Sequence, residues 1–231
     1  MKPRRESSPD APNATRTPRL DRRRVLLGSA GLAASVLAGC LGSGATGNSG
    51  GSGNASGRSG DTLPTPVQGD PDADVTVAAF EDYACPHCRS YVLDVLPRIE
   101  EQYVSAGRIR YEHHDFPIPV ADPESYTAAN AARAVATRTD GEAFWTYSRS
   151  LFEKQSDLGP ELYASLANEM DLDGDAVREA AVNRNYKQTI TADRQRGVDM
   201  GVEATPTVFV DGSALSEYTF DAISSAIESA L

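Results

Sequence analysis

Cys85-Pro86-His87-Cys88 sets two thiols three residues apart, with a proline and a histidine between them. If this segment opens a helix, its first and fourth positions share one face. The two sulfurs then approach closely enough to bridge. Cys85 would stand at the helix start, where unpaired N–H groups and the helix dipole favour an anion. Pro86 suits the first turn because its missing N–H is not needed there. His87, when protonated, adds a positive charge nearby. Together these effects pull the Cys85 pKa toward the range of activated cysteines, about 3.5–7.5. The expected chemistry is thiol–disulfide exchange. Cys85 attacks and is attacked, while Cys88, one turn further in and buried, resolves the mixed disulfide. His87 stabilises the thiolate, hence the reduced form, and so makes the disulfide more oxidising. Such exchange calls for no cofactor and no metal.

The flanking sequence supplies elements to hold the dithiol. Residues 75–81 (VTVAAFE) read as a buried strand. A helix is predicted over 86–104, with Tyr91, Val92, Val95, Leu96 and Ile99 on its apolar face and a kink at Pro97. A second strand is predicted over 108–113. Asp115-Phe116-Pro117-Ile118-Pro119 ends it, since prolines cannot continue a ladder. Residues 122–200 then read as helical throughout, with helices over 126–138, 141–153, 162–170 and 175–200, the last closed by Gly201. Phe144, Trp145, Tyr147, Leu151 and Phe152 read as core packing. Thr205-Pro206-Thr207-Val208-Phe209-Val210-Asp211-Gly212 is a strand entering a hairpin turn, because Asp-Gly favours such turns. A helix over 218–231 closes the chain. The fold class is therefore α/β. Its order is β-α-β, an all-helical insertion, then β-β-α, on a mixed central sheet.

Upstream of residue 67 the sequence has another character. Residues 1–40 carry Arg22-Arg23-Arg24-Val25-Leu26, an apolar run too short to span a bilayer, and then Leu37-Ala38-Gly39-Cys40. The first element resembles a twin-arginine export signal and the last a lipobox, in which Cys40 would be lipidated. An ordinary secretory signal with an incidental Cys40 is the alternative. Gly and Ser supply 13 of the 20 residues over 41–60. Residues 41–66 are thus expected to be a flexible tether reaching roughly 28 Å. Residues 67–231 are enough for one domain with a real core. Residues 41–231 carry 14 basic and 30 acidic side chains, and the whole chain has only three lysines, Lys2, Lys154 and Lys187. That balance argues against nucleic-acid binding. It resembles the surfaces of proteins from salt-loving organisms, such as a halophilic archaeon, whose self-repulsion high salt screens. The tether and the charge favour a monomer. Cys85 and Cys88 are the only cysteines after Cys40, so a disulfide-stapled scaffold is excluded.

A strand, Cys-Pro-His-Cys, a helix, a strand, a helical insertion and then Gly201-Val202-Glu203-Ala204-Thr205-Pro206-Thr207 resemble the DsbA-like branch of the thioredoxin fold, over residues 74–231. Asp115-Phe116-Pro117 and Ala143-Phe144-Trp145 fall where members of that branch carry similar runs. The resemblance implies a cis bond before Pro206, with Thr205 beside Cys85 and its backbone available to an extended substrate peptide. It also implies protein or peptide thiols outside the cytoplasm as substrates and a membrane partner that reoxidises the dithiol. The protein would work at the outer face of the cytoplasmic membrane. The sequence departs from the family at Ala79, where many members carry a buried glutamate that helps move the proton of the second cysteine. Glu81 shares the strand face of Ala79, but the role is not assigned to it.

Other readings use the same residues. A reductase or an isomerase-like protein would carry the same dithiol. His87 favours the oxidising end, and no dimerisation module of the isomerase kind stands out. Cys85, Cys88, His87, His113 and His114 are the soft ligands of the domain and could in principle hold zinc. His87 lies inside the CxxC, however, and the His pair lacks a second chelating spacing. His113 and His114 are expected to point one to the core and one to solvent. A lipoprotein with a purely structural disulfide is the remaining alternative.

Overall fold

The computed structural model describes residues 62–118, 121–139 and 141–231. The export signal expected over 1–40, Cys40, and the tether up to residue 61 lie outside these residues, as does Pro119.

The centre of the fold is a parallel pair. Strand β2 (Val75–Glu81) and strand β3 (Ile109–Asp115) run in register from Val75 opposite Ile109 to Glu81 opposite Asp115. Strand β1 (Val67–Gly69) adds antiparallel to β3. Strand β4 (Thr207–Val210) adds antiparallel to β2, and β5 (Ser213–Ala214) to β4. The sheet order is β1-β3-β2-β4-β5. Asp211 and Gly212, with φ of 46° and 74°, make the β4–β5 turn. Both signs suit the primed hairpin turn that Asp-Gly favours. The sequence reading did not include β1. Three residues are too few to show alternation. Residues 62–66, expected as the end of the tether, are stitched to the domain instead. The Leu63 N–H donates to Thr189 Oγ1 at 3.0 Å, and the Pro66 carbonyl accepts from the His113 N–H at 3.1 Å.

The crossover from β2 to β3 is one helical run with changing pitch. It comprises α1 (Pro86–Ser90), a π-helical turn (Tyr91–Val95), α2 (Leu96–Ile99) and a second π turn (Glu100–Val104). The kink expected at Pro97 takes this form. Widening the turn before it places Pro97 in the first turn of α2, where a missing N–H costs nothing.

The insertion is helical, as expected: α3 (Glu124–Ala136), α4 (Gly141–Glu153), a 3-10 turn (Gln155–Asp157), α5 (Pro160–Asn168), α6 (Gly174–Val182) and α7 (Lys187–Asp199). The single helix expected over 175–200 is in fact two. The chain breaks at residues 183–186, where Arg184 takes a φ of 53° and the Tyr186 N–H donates to Asn130 Oδ1 at 2.7 Å. The break lets α6 pack on α3 and α5 while α7 turns to the sheet. Gly201, with φ of 84°, closes α7. The Val202 N–H donates to the Gly197 carbonyl at 2.8 Å and the Gly201 N–H to Val198 at 3.0 Å, the paired bonds of a Schellman end. Helix α8 (Phe220–Ala230) starts at Thr219, whose hydroxyl accepts the Ala222 N–H at 3.3 Å.

Both faces of the sheet are covered, which explains the near-continuous apolar run of β2. Val75, Val77 and Ala79 face the larger core, together with Tyr91, Ile99, Tyr111, Phe144, Leu151, Ile223 and Ile227. Ala78 and Phe80 face a smaller core with Phe116, Val202 and Phe209. Gly197 of α7 lies so close to this second face that a Cβ there would sit 2.6 Å from the Phe116 ring and 3.0 Å from Phe80. The double covering also corrects the reading of the histidine pair. His113 and His114 are both buried. His113 points among Tyr83, Phe144 and Trp145, while His114 stacks on Phe80 at 4.8 Å. Alternation along β3 does divide them between faces, but neither face is open to solvent.

Candidate active site

Cys85 sits at the N-cap of α1 with an extended backbone (φ −82°, ψ 120°) and Pro86 in the first turn. The loop that delivers it is held by Asp82. Its Oδ1 accepts the Ala84 N–H at 2.8 Å, and its Oδ2 accepts the Ile118 N–H at 2.7 Å and the Ser125 hydroxyl at 2.8 Å. Burial raises the Asp82 pKa despite these donors. An aspartate two residues before the N–H it binds is a recognised turn signal, so this anchor could have been read from the sequence.

The two thiols are unbridged and unequal. Cys85 is half-buried and Cys88 fully buried. The Cys85 pKa is lowered to about 5. The largest cause is the Cys88 thiol donating to its sulfur. Burial works against this. The Thr205 side chain, whose buried hydroxyl is otherwise unpartnered, and the backbone N–H groups of Cys88 and His87 complete the effect. Cys88 shifts the opposite way, first through burial, then through its bond to Cys85 and the negative charge of Glu81. The Asp82 N–H, 3.4 Å from its sulfur, opposes the shift only in part. One thiolate at the helix start and one protonated thiol behind it are what the first and second steps of exchange require.

His87 and Pro86 are exposed. His87 contributes to the Cys85 thiolate through its backbone N–H, while its ring Nδ1 lies 3.2 Å from the Tyr218 hydroxyl. The bond between Thr205 and Pro206 is cis, as the family resemblance implies, and both residues are buried. The Cys85 thiol donates to the Thr205 carbonyl at 3.4 Å. Beside this contact opens a groove of about 370 Å3, bordered by His87, Thr205, Pro206, Leu215, Glu217 and Tyr218. Tyr218 was not among the residues read as functional. It lies 131 positions from its histidine partner, with no local motif to reveal it.

Behind Cys88 lies a buried polar cluster. Glu81 accepts the Tyr111 hydroxyl at 3.1 Å on Oε1 and faces His113 Nδ1 at 3.5 Å on Oε2. His113 Nε2 lies 3.3 Å from Asp115, whose other oxygen accepts Arg133 Nε at 2.6 Å. His114 is flanked by Glu112 at 3.1 Å and Asp193 at 3.5 Å. The histidine pair is thus committed to carboxylates and does not join the dithiol. Among the described residues no group of three or more His, Cys, Asp or Glu side chains is arranged to hold a metal ion. Ala79 is buried with no polar partner to offer, and the acid behind the dithiol is Glu81, two residues along the same strand.

The chain is similar in sequence and fold to known proteins. The family model described as Thioredoxin matches residues 61–229. Disulfide bond formation protein D of Bacillus subtilis is 28% identical over 173 residues, covering 72% of this chain and 77% of that protein. The solved structure of oxidised BdbD from Bacillus subtilis, also 28% identical, superposes with a TM-score of 0.67 over 72% of this chain and 92% of the other. DsbA of Chlamydia trachomatis, at 22% identity, shares the fold with a TM-score of 0.64, covering 71% of this chain and 90% of that one. The chain belongs to the thioredoxin family, in its DsbA-like branch of thiol:disulfide oxidoreductases.

Proposed function

We propose that the protein is a disulfide oxidant for exported proteins, with Cys85 as the exchanging sulfur and Cys88 as the resolving one. The observation that carries this reading is the place of Cys85 at the N-cap of α1, where the Cys88 thiol, the Thr205 side chain and backbone N–H groups lower its pKa to about 5. A thiolate stabilised in the reduced form makes that form a good leaving state, so the disulfide gives up its bond to substrate thiols readily. In the oxidising direction a substrate thiolate attacks Cys85. A mixed disulfide forms, and Cys88 leaves and takes up a proton. A second substrate thiolate then attacks the substrate sulfur, closes the substrate disulfide and releases the Cys85 thiolate. Both cysteines end reduced, and a membrane partner that accepts two electrons restores the bridge.

Pro86 and the His87 N–H shape the anion site. Thr205 and Pro206 present backbone to an extended peptide lying in the adjoining groove. The protein acts outside the cytoplasm as a monomer. Residues 1–40 are its export signal with a lipobox, Cys40 its lipid anchor at the outer face of the membrane, and the segment that follows its tether. Among the described residues no helix is long and apolar enough to cross a membrane, consistent with an anchor outside the folded domain. The acidic, lysine-poor surface suits a salt-loving host.

The test is the reduction potential of the Cys85–Cys88 pair, measured on the full chain in high salt against glutathione. A value above about −150 mV supports the oxidant, whereas one near about −250 mV or below overturns it in favour of a tethered reductase.

A further inference from the structure

Tyr83, two residues before Cys85, is gripped at three points by one face of the insertion. Ser148 Oγ lies 2.9 Å from its hydroxyl, Phe152 stacks on its ring at 4.8 Å, and Gln155 Nε2 donates to its carbonyl at 2.8 Å. The same Gln155 amide donates to the Cys85 carbonyl at 2.9 Å. Ser148, Phe152 and Gln155 follow the i, i+4, i+7 spacing of a helix face, which carries the face of α4 into the 3-10 turn. An amide NH2 has two protons and can serve two carbonyls at once. The Cys85 carbonyl also accepts the Arg89 N–H at 3.1 Å, the first bond of α1. Gln155 therefore fixes the peptide planes on both sides of Ala84 and Cys85, at the point where the chain changes from extended to helical.

We infer that Gln155 is a positioning residue for Cys85: by clamping the Tyr83 and Cys85 carbonyls, its amide sets how the Cys85 sulfur meets the N–H donors of α1, and it links the helical insertion to thiol reactivity. This rests on Cys85 being the exchanging sulfur. The physical reason is geometric. Besides the Thr205 side chain, the donors that stabilise the thiolate are the Cys88 thiol and the Cys88 and His87 N–H groups; these three belong to α1, whereas the sulfur hangs from the capping residue. A rotation of the capping peptide moves the sulfur relative to all three. Hydrogen bonds to charged acceptors weaken quickly with misalignment. Gln155 touches neither sulfur, so its effect reaches the chemistry only through this backbone.

The experiment uses the reduced full chain in high salt and compares Q155M, which removes both donors at similar volume, with S148A, which loosens the same grip on Tyr83 without touching a carbonyl. Three quantities are read: the thiolate absorbance of Cys85 against pH, its alkylation rate, and the equilibrium constant with glutathione. Q155M should shift the Cys85 titration up by about one unit. Alkylation at pH 5 should slow about fivefold while the rate at pH 8 stays within about twofold. The glutathione equilibrium should move about tenfold toward a less oxidising disulfide. S148A should lower the unfolding temperature and leave the titration in place. Q155H, which keeps one donor, should titrate between wild type and Q155M, and it serves the test if Q155M does not fold. A Gln155 variant that unfolds earlier but titrates like wild type overturns the inference and makes Gln155 a packing residue only. If wild-type Cys85 itself titrated as an ordinary thiol, the exchange reading would fall before the clamp is reached, so the two failures are distinguishable.

Discussion

Cys85 and Thr205, 120 residues apart in sequence, meet at 3.4 Å, with the thiol of one donating to the backbone carbonyl of the other. The contact joins the start of α1 to the turn before β4. These elements flank opposite ends of the sequence but adjoin through β2, which pairs with β4. A substrate sulfur bonded to Cys85 would therefore emerge beside a stretch of backbone ending in a cis proline. The proposed exchange needs a place for the peptide that carries the partner thiol, and this contact sets a stretch of backbone beside the Cys85 sulfur.

Cys88 has a second influence beside the resolving role proposed for it. Its thiol is the largest single cause of the low Cys85 pKa. Replacing it with alanine removes that donor, so the Cys85 titration should move upward from about 5, by about one unit or more. Replacing it with serine keeps an O–H in the same place and should hold most of the shift. Thiolate absorbance across pH 3–9 reads both variants. Titrations of C88A and C88S that both match wild type would mean that the Cys88 thiol does not set the Cys85 pKa.

The relation of sequence to structure is uneven for a physical reason. The dithiol and its place at a helix start were legible because each depends on neighbours within a few residues, and local chemistry writes local motifs, whereas the cis bond before Pro206 was implied only by the family resemblance. The helical insertion was legible too, apart from its last member: residues 183–186 (NRNY) hold no Gly or Pro that would stop a helix, and only the tertiary bond from Tyr186 to Asn130 marks the break. The burial of His114 could not be read from alternation, because alternation divides faces without saying what covers them. Gln155, Tyr218 and the engagement of Glu81 with Tyr111 and His113 are contacts between distant segments with no spacing signal.

Glu81 acts on Cys88 electrostatically. Ala79 carries no acid, yet a carboxylate two residues on is buried behind Cys88 and helps to raise its pKa. Neutralising it as E81Q removes a negative charge that disfavours the Cys88 thiolate, so the Cys88 pKa should fall. In a C85A background, where Cys88 is the only thiol of the domain, alkylation at pH 8 should then be faster in E81Q than with Glu81 present. The same change weakens the bonds to Tyr111 and His113 and should cost about 1–3 kcal/mol of stability. An unchanged or slower alkylation would show that the charge of Glu81 does not act on Cys88.

His113 contributes to the pH dependence of the fold, as does His114, whose pKa is raised against burial by its bonds to Asp193 and Glu112. Burial alone would lower the His113 pKa, but hydrogen bonds to Asp115 and Glu81 and their charges outweigh burial and raise it to about 9. An ordinary histidine titrates near 6.5. A folded-state value above the unfolded one means that the native state holds the proton more tightly. This contribution is fully present below about pH 6.5 and is lost as pH rises through about 9. Asp115, held down to about 2 against burial chiefly by the charge of Arg133, keeps its charge across that window and adds nothing to the loss. Chemical denaturation of the oxidised protein, in which the Cys85–Cys88 pair no longer titrates, should show stability falling between pH 6.5 and 9. H113Q, which cannot take up the proton, should be less stable at pH 6 and should flatten that slope. A wild-type stability that is level or rising over the same range would place a neutral imidazole between the two carboxylates and remove the ion pairs from the account of how this core is held.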